Sequence, residues 1–356
     1  MDGVEAESGP VRPRRRDASI DDVARHAGVS GQTVSRVANG RSNVGAATRE
    51  RVLASMRELG YRPNSAARAL RSGQFRSIGV IVFTLTSYGN LRTLEAVAAA
   101  ATERRYTITL MPLERPTHAD VDVALDRLGE QAVDGVIVLI ESHLIGAAEA
   151  QLRRGIPVVT VDARVAGHSP VVDTDQVAGA RLATEHLLGL GHETVWHVAG
   201  PRDSDSAGLR LRGWRETLRA HGRPVPPPLH GDWYSDSGYA AGRRLAAEPG
   251  VTAVFAANDQ MALGVLRALT EARLRIPEDV SVAGFDDMPE AGNFIPPLTT
   301  VHQDFAAIGR TAVRALVQEI EGGPPAEHRG IGPRLTVRSS TTGPAAHRIT
   351  GGSVTR

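Results

Sequence analysis

The stretch Ser-Ile-Asp-Asp-Val-Ala-Arg-His-Ala-Gly-Val-Ser-Gly-Gln-Thr-Val-Ser-Arg-Val-Ala-Asn, Ser19 to Asn39, constrains this chain more than any other part of it. Ile20, Val23, Ala24 and Ala27 recur at the spacing of one face of an amphipathic helix. Gly28 can turn left-handed and end that helix, and Val29 anchors the turn. Ser30 is placed to cap a second helix. Val34 and Val37 of the second helix point into a small core, and Gln32, Thr33, Ser35, Arg36 and Asn39 lie on its outer side. This is the layout of a helix-turn-helix, whose second helix enters the DNA major groove; an ordinary helical hairpin is the plainer alternative. A third helix is expected over about Ala47 to Leu59. Thr48 or a neighbour starts it, Gly60 stops it, and Val52, Leu53 and Met56 face the core.

Charge is distributed as a DNA-binding module on a non-binding body would require. Residues 1–73 hold thirteen Arg against eight Asp and Glu, a balance of +5, so the remainder of a chain of net charge +1 sums to −4. All 41 basic residues are Arg, the better bidentate reader of phosphate and guanine. There is no cysteine, which excludes disulfides, zinc fingers, iron–sulfur clusters and thiol catalysis. No apolar run approaches the roughly 18 residues that span a membrane, and no signal-peptide core follows the N-terminus. The expectation is a cytoplasmic, nucleoid-associated protein.

At 356 residues the chain is expected to form two or three domains. Residues 1–17 read as a disordered arm, 18–63 as the helix-turn-helix domain and 64–73 as a short helical connection. From residue 77 short apolar runs alternate with helical stretches. Strands are expected at 78–83, 107–111, 135–140, 158–161, 194–198, 253–256 and 281–284. Helices are expected near 92–105, 120–131, 145–154, 177–190, 209–221, 237–247, 260–273 and 305–321. Continuous apolar strands separated by helices indicate an α/β fold with parallel sheets covered on both faces. The units suffice for two sheets, with a chain crossing near Val172 to Asp175. Pro226-Pro227-Pro228 marks a surface loop, and 343–356 reads as a disordered tail with no leucine heptad.

Several stretches, in order, resemble the LacI/GalR family of bacterial transcription regulators: Val-Ala-Arg-His-Ala-Gly-Val-Ser, Gln-Thr-Val-Ser-Arg-Val-Ala-Asn, Leu-Gly-Tyr-Arg-Pro-Asn, Gly-Leu-Gly-His, Ala-Asn-Asp-Gln-Met-Ala-Leu-Gly, Val-Ala-Gly-Phe-Asp-Asp and Pro-Pro-Leu-Thr-Thr-Val. The likeness runs from about Ser19 to Thr342. Ser206-Ala207 with Leu209-Arg210-Leu211, Gly231-Asp232-Trp233 and Ile295 to Thr300 are closest to the lactose-repressor branch. The resemblance implies a helix-turn-helix domain, a hinge helix, and a two-lobed core like that of periplasmic sugar-binding proteins. Lobe one would comprise about 74–174 and 305–333, and lobe two about 175–304 and 334–342.

The resemblance also implies site residues. Gly31, Gln32 and Arg36 would read bases, as Gln suits adenine and Arg suits guanine. Ser19, Ser30, Thr33, Ser35, Asn39 and Asn43 would meet the DNA backbone, setting register and not sequence. Gly31 departs from the branch, which carries a large side chain there, so operator preference does not transfer. Asn64 to Ser72 matches the hinge helix, with Asn64 as a DNA contact, Ala67 and Leu70 facing the minor groove, and Leu70 as the wedge that opens the central base step.

At the other end, Asp162, Arg210, Asn258 and Asp286 lie at strand ends or helix starts, where open α/β sheets place their ligands. Carboxylates, amides and guanidinium each take neighbouring sugar hydroxyls, and an aromatic face covers the apolar side of a sugar ring. By position in the family, Asp162, Arg210, Asn258, Asp286 and Gln303 are polar contacts, Trp233 is the stacking wall and Phe305 stands beside it. Simpler roles exist: Asp286 with Asp287 could cap a helix, and Arg210 could form an interlobe salt bridge. Ser87, Tyr88, Gly89 and Asn90 replace a mostly apolar stretch of the branch, which leaves the second-sugar specificity open.

His186, His192, His197 and His302 read as structural, and no metal or cofactor is expected. Asp286-Asp287 is no acid/base pair, since adjacent residues point apart, and no nucleophile motif has suitable partners. The chain is therefore expected to be no enzyme but a homodimeric repressor that binds double-stranded operator DNA and is released by a sugar or glycoside, galactoside-like by preference. The alternatives are a different carbohydrate, a corepressor, or a sugar-binding protein that does not act on DNA.

Overall fold

The computed structural model describes residues 18–40, 43–62, 73–113, 117–139, 156–161, 171–324 and 329–344. The arm, the hinge positions Asn64, Ala67 and Leu70, the helix expected at 145–154, Asp162 and the tail beyond Pro344 lie outside them. The chain divides after Phe75 into two compact units.

The first unit holds α1 (Ile20–Ala27), α2 (Gly31–Ala38) and α3 (Ala46–Glu58). Ser19 starts α1 through a reciprocal cap. The Asp22 amide donates to its hydroxyl at 3.2 Å, and its own amide donates to the Asp22 carboxylate at 2.9 Å. Gly28 ends the helix at φ 62°, a conformation that costs a side chain-bearing residue. Ser30 caps α2 by accepting from the Thr33 amide. Val23, Ala24, Ala27, Val34, Val37, Val52 and Met56 form one buried cluster. Two expectations for α3 are corrected. It begins at Ala46, with Gly45 at the cap and no side-chain cap. Leu53 is exposed and Ser55 is buried in its stead. The buried stripe runs through Val52, Ser55, Met56 and Leu59, at the i, i+3, i+4, i+7 spacing of one helix face, and Leu53 falls outside it. The Ser55 hydroxyl is satisfied by donating to the Arg51 carbonyl and meeting the His26 ring at 3.0 Å.

The second unit contains two six-stranded sheets. Sheet one runs β11-β5-β4-β3-β1-β2, with β1 (Ser77–Val82), β2 (Thr107–Pro112), β3 (Gly135–Leu139), β4 (Val158–Val161), β5 (Val171–Thr174) and β11 (Arg329–Ile331), paired in parallel. Sheet two runs β12-β10-β9-β8-β6-β7, with β6 (Trp196–Ala199), β7 (Leu229–His230), β8 (Ala253–Ala256), β9 (Ser281–Asp286), β10 (Thr299–His302) and β12 (Arg334–Thr336). Only β12 is antiparallel there. The helices are α4 (Tyr88–Glu103), α5 (His118–Glu130), α6 (Gln176–Gly189), α7 (Asp205–Ala220), α8 (Ser235–Ala247), α9 (Asp259–Glu271) and α10 (Phe305–Ile320). Apolar clusters fill both faces of each sheet, as buried parallel strands require.

The chain passes between the two sheets three times: from β5 into α6, from β10 into α10, and from β11 into β12. Five strands escape the sequence reading: β7, β11 and β12 are only two or three residues long, and β5 (Val-Val-Asp-Thr) and β10 (Thr-Thr-Val-His) are half or more polar and so do not stand out as apolar runs. Strand β6 starts at Trp196 and not at Thr194, whose hydroxyl instead donates to the Pro224 carbonyl. Helices α4 and α7 each begin about four residues earlier than expected, because Ser87 and Ser204 cap them.

Candidate functional site

On the first unit, Gln32 and Arg36 stand one helical turn apart on the exposed side of α2, and neither has a partner among the described residues. The other polar residues of this surface are partly committed to the helix. The Ser30 and Thr33 hydroxyls meet at 3.0 Å, and the Asn39 amide donates to the Ser35 carbonyl at 2.8 Å and also to its hydroxyl. Asn43 is exposed. A side chain at Gly31 would begin 3.3 Å from Ile20 and 3.5 Å from the Asp21 carboxylate, so the bare backbone here relieves α1.

On the second unit, a cleft of about 440 Å³ opens between the sheets at the carboxyl ends of β1, β3, β4, β8 and β9. Arg210, Trp233, Asn258, Asp286, Gln303 and Phe305 all line it. Its floor is a closed ring of buried polar side chains. Arg210 Nε donates to Gln176 Oε1 at 2.8 Å, Gln176 Nε2 to Gln303 Oε1 at 3.2 Å, and Gln303 Nε2 to Asp286 Oδ1 at 2.7 Å. Arg210 Nη1 stands 3.6 Å from Asp286 Oδ1 and donates to the Ala257 carbonyl at 2.5 Å. Both partners of this ion pair belong to sheet two and its helix α7, so this pair does not bridge the lobes. Asp286 caps no helix; it ends β9 at φ 110° and is followed by Asp287 at φ 54°. Asp287 turns away to Arg338 and His302, at 2.6 and 3.0 Å. Burial raises the Asp286 carboxyl to about 6, against the opposing pull of Arg210 and Gln303. Behind it, burial and the Asp286 charge push the buried Asp259 carboxyl well above its ordinary range.

The walls are aromatic. The Arg210 guanidinium lies 3.8 Å from the Phe285 ring centre and 5.3 Å from that of Trp233. Trp233 sits at φ 77°, with its carbonyl held at 3.0 Å by the Asn258 amide, while Asn258 Oδ1 caps α9 through the Met261 amide. Asn258 therefore positions the indole as well as lining the cleft. Phe305 meets Tyr88 edge to face at 5.8 Å, and burial pushes the Tyr88 hydroxyl to about 12. Across the mouth, Thr86 Oγ1 and the Tyr234 hydroxyl meet at 2.5 Å, joining the two sides.

Sequence reasoning missed Gln176, Tyr234 and Thr86. For Gln176 a signal existed, a polar residue in the first turn of a helix directly after a strand. Nothing local marks Tyr234 or Thr86, since 148 positions separate them in the chain. The histidines serve packing. His197, buried between Trp214 and Phe255, donates to the Phe255 carbonyl and is held down to about 3 by burial. His186 and His192 bond Thr341 and the Thr342 carbonyl. Among the described residues no His, Asp and Glu group could hold a metal ion, and no helix is long and apolar enough to cross a membrane.

Two family descriptions match the chain: bacterial regulatory proteins, lacI family, over residues 19–64, and a periplasmic binding protein-like domain over residues 184–341. The lactose operon repressor of Escherichia coli (strain K12) is 38% identical over 313 residues, 86% of each chain. The ribose operon repressor of the same strain is 34% identical over 85% of this chain and 93% of its own. Among solved structures, the lac repressor dimer bound to operator and the anti-inducer ONPF superposes at a TM-score of 0.84 and 35% identity, covering 92% of this chain and all of its own.

Proposed function

The chain belongs to the lacI family of bacterial regulatory proteins, and on that premise we propose that it is a cytoplasmic homodimeric repressor, released from operator DNA by a small carbohydrate bound in the cleft. The observation that supports this reading is the composition of the cleft floor. A carboxylate, a guanidinium and an amide converge there within one hydrogen-bonded ring, beneath an indole and a phenyl face. Paired hydroxyls on a ring with an apolar side match that arrangement. A galactoside is the favoured class, because the stretches around Arg210, Gly231-Asp232-Trp233 and Ile295 to Thr300 resemble the lactose-repressor branch.

In this reading Gln32 and Arg36 contact base edges, Ala67 and Leu70 meet the minor groove, Asn64 contacts DNA beside them, and Asp162 joins the sugar contacts. Inducer acts only through a higher affinity for the lobe arrangement that does not hold operator. The test is operator release against concentration for a series of galactosides, glucosides and related disaccharides, with a chromogenic galactoside as the turnover control. Release at micromolar to millimolar sugar without colour supports the proposal. Release by none of the series, tighter operator binding with sugar, or steady hydrolysis would each sink it.

A further inference from the structure

We propose a second small-molecule site, for a phosphate-bearing metabolite, in a separate cleft of about 470 Å³ on the outer side of β6 and β7. This cleft is bounded by the loop after β6, by α7 and by the Pro227-Pro228 segment. Arg202 and Arg215 line it, and among the described residues neither makes an ion pair and no acidic residue lines the cleft with them. His230 completes the polar set; its Nδ1 donates to the Gly200 carbonyl at 3.1 Å, which fixes the ring in place. Two unpaired guanidinium groups in one concavity match a phosphate dianion, which takes bidentate hydrogen bonds from each. A bare phosphate fills a small part of the volume. Leu211, Pro227 and Pro228 supply the apolar surface that the organic body of a phosphate ester would cover.

The wall between the two clefts is one residue thick. Pro201 lines both. Gly200 beside it has the Trp233 indole against its backbone, so close that a Cβ there would fall 2.5 Å from the ring. On the other side the Gly200 carbonyl receives His230. An occupant that draws on Arg202 and His230 therefore bears on the same backbone that seats the indole of the first cleft. Coupling between the two sites is reciprocal by linkage, and we expect a three- to tenfold change in affinity of each ligand on binding the other.

The probes are glucose 6-phosphate, inorganic phosphate and sulfate at matched ionic strength, added to the full-length protein while its thermal midpoint is followed. The expected result is a saturable rise with glucose 6-phosphate or with inorganic phosphate, which distinguishes an esterified from a free ligand, and no comparable rise with sodium chloride. The variant Arg202→Gln/Arg215→Gln should lose that rise and still bind a cleft sugar with unchanged affinity in the absence of phosphate. The proposal is overturned by no saturable rise with either phosphate, by a rise that survives in the double variant, or by one that disappears instead in Asp286→Asn, which would place the ligand in the first cleft. A failure of sugar binding altogether would count against the proposed inducer and leave this phosphate readout intact.

Discussion

Replacing Arg210 with Met separates the charge of the cleft floor from its hydrogen bonds. Methionine keeps an apolar stem over Phe285, where the guanidinium lies 3.8 Å from the ring centre. It removes the donations to Gln176 and to the Ala257 carbonyl, leaving two buried acceptors unmet at about 1–3 kcal/mol each. The charge contribution is smaller than a buried ion pair suggests. Asp286 titrates near 6, so without its counter-charge it takes up a proton at pH 7 for about 1.4 kcal/mol, the value of one pH unit. Arg210→Met should therefore lower stability by about 3–7 kcal/mol in urea unfolding. In the Asp286→Asn background the hydrogen-bond loss remains and the charge loss does not, giving a coupling energy of about 1.4 kcal/mol at pH 7. At pH 5, where the carboxyl is already protonated, the coupling should vanish. A coupling below roughly 0.5 kcal/mol at pH 7, the limit within which independent sites add, or one unchanged at pH 5, would refute this account.

Asp286 also sets a pH dependence. Its folded value near 6 lies above the ordinary 3.8, so the protonated form stabilises the fold and that contribution is lost as pH rises from about 4 to 6; unfolding midpoints across that range would show it. Sugar affinity should move the other way, falling by up to about tenfold per unit below pH 6, as calorimetry at pH 5 and 7.5 would record. Tyr234→Phe removes the contact with Thr86 across the cleft mouth and should weaken effector binding about three- to tenfold, the worth of one ordinary hydrogen bond, with operator affinity unchanged without effector. Ser19→Ala breaks the reciprocal cap of α1 and should cost about 1 kcal/mol, read as faster amide exchange in α1 with no change in the sugar titration.

The helix-turn-helix is legible because each local signal agrees with the next: a Ser cap, a 3.6-residue apolar period, a left-handed Gly, a second Ser cap. The long strands and helices of the second unit declare themselves by the same agreement. What escapes is set by pairing at a distance. Strand β7 is two residues long and exists because Ala199 and Val198 offer it an edge. Leu53 looks like core in a list of apolar residues, and only the stripe completed by Leu59 with Val52 and Met56 puts it outside. Arg210, Asn258 and Asp286 could be named one at a time from strand ends and helix starts, and Trp233, Gln303 and Phe305 from the family likeness, whereas Gln176 and Tyr234 could not. Their order was not, because the ring joins Gln176 to Gln303 across 127 positions and Asp286 to Gln303 across 17. Asn258 shows the same limit. Its amide lines the cleft, yet both of its bonds are spent on a helix start and on the carbonyl of a backbone-strained Trp233.

If the two lobes of the second unit rotate against each other, the three passages of the chain between the sheets set the pivot. Gln176 opens α6 just after the first passage and Gln303 lies within the second, and their side chains are bonded to each other. The polar ring is thus fastened at the pivot, where a rotation of one lobe against the other produces the least travel. The Thr86–Tyr234 contact, exposed at the rim, sits at the end of the arm, where the same rotation produces the most. A ligand can then be recognised by groups that hardly move and still drive a displacement that is large at the periphery. Mechanical advantage of this kind gives the two places different weight: substitutions in the ring change how tightly a ligand is held, and substitutions at the rim change how far its binding is felt as well as its strength.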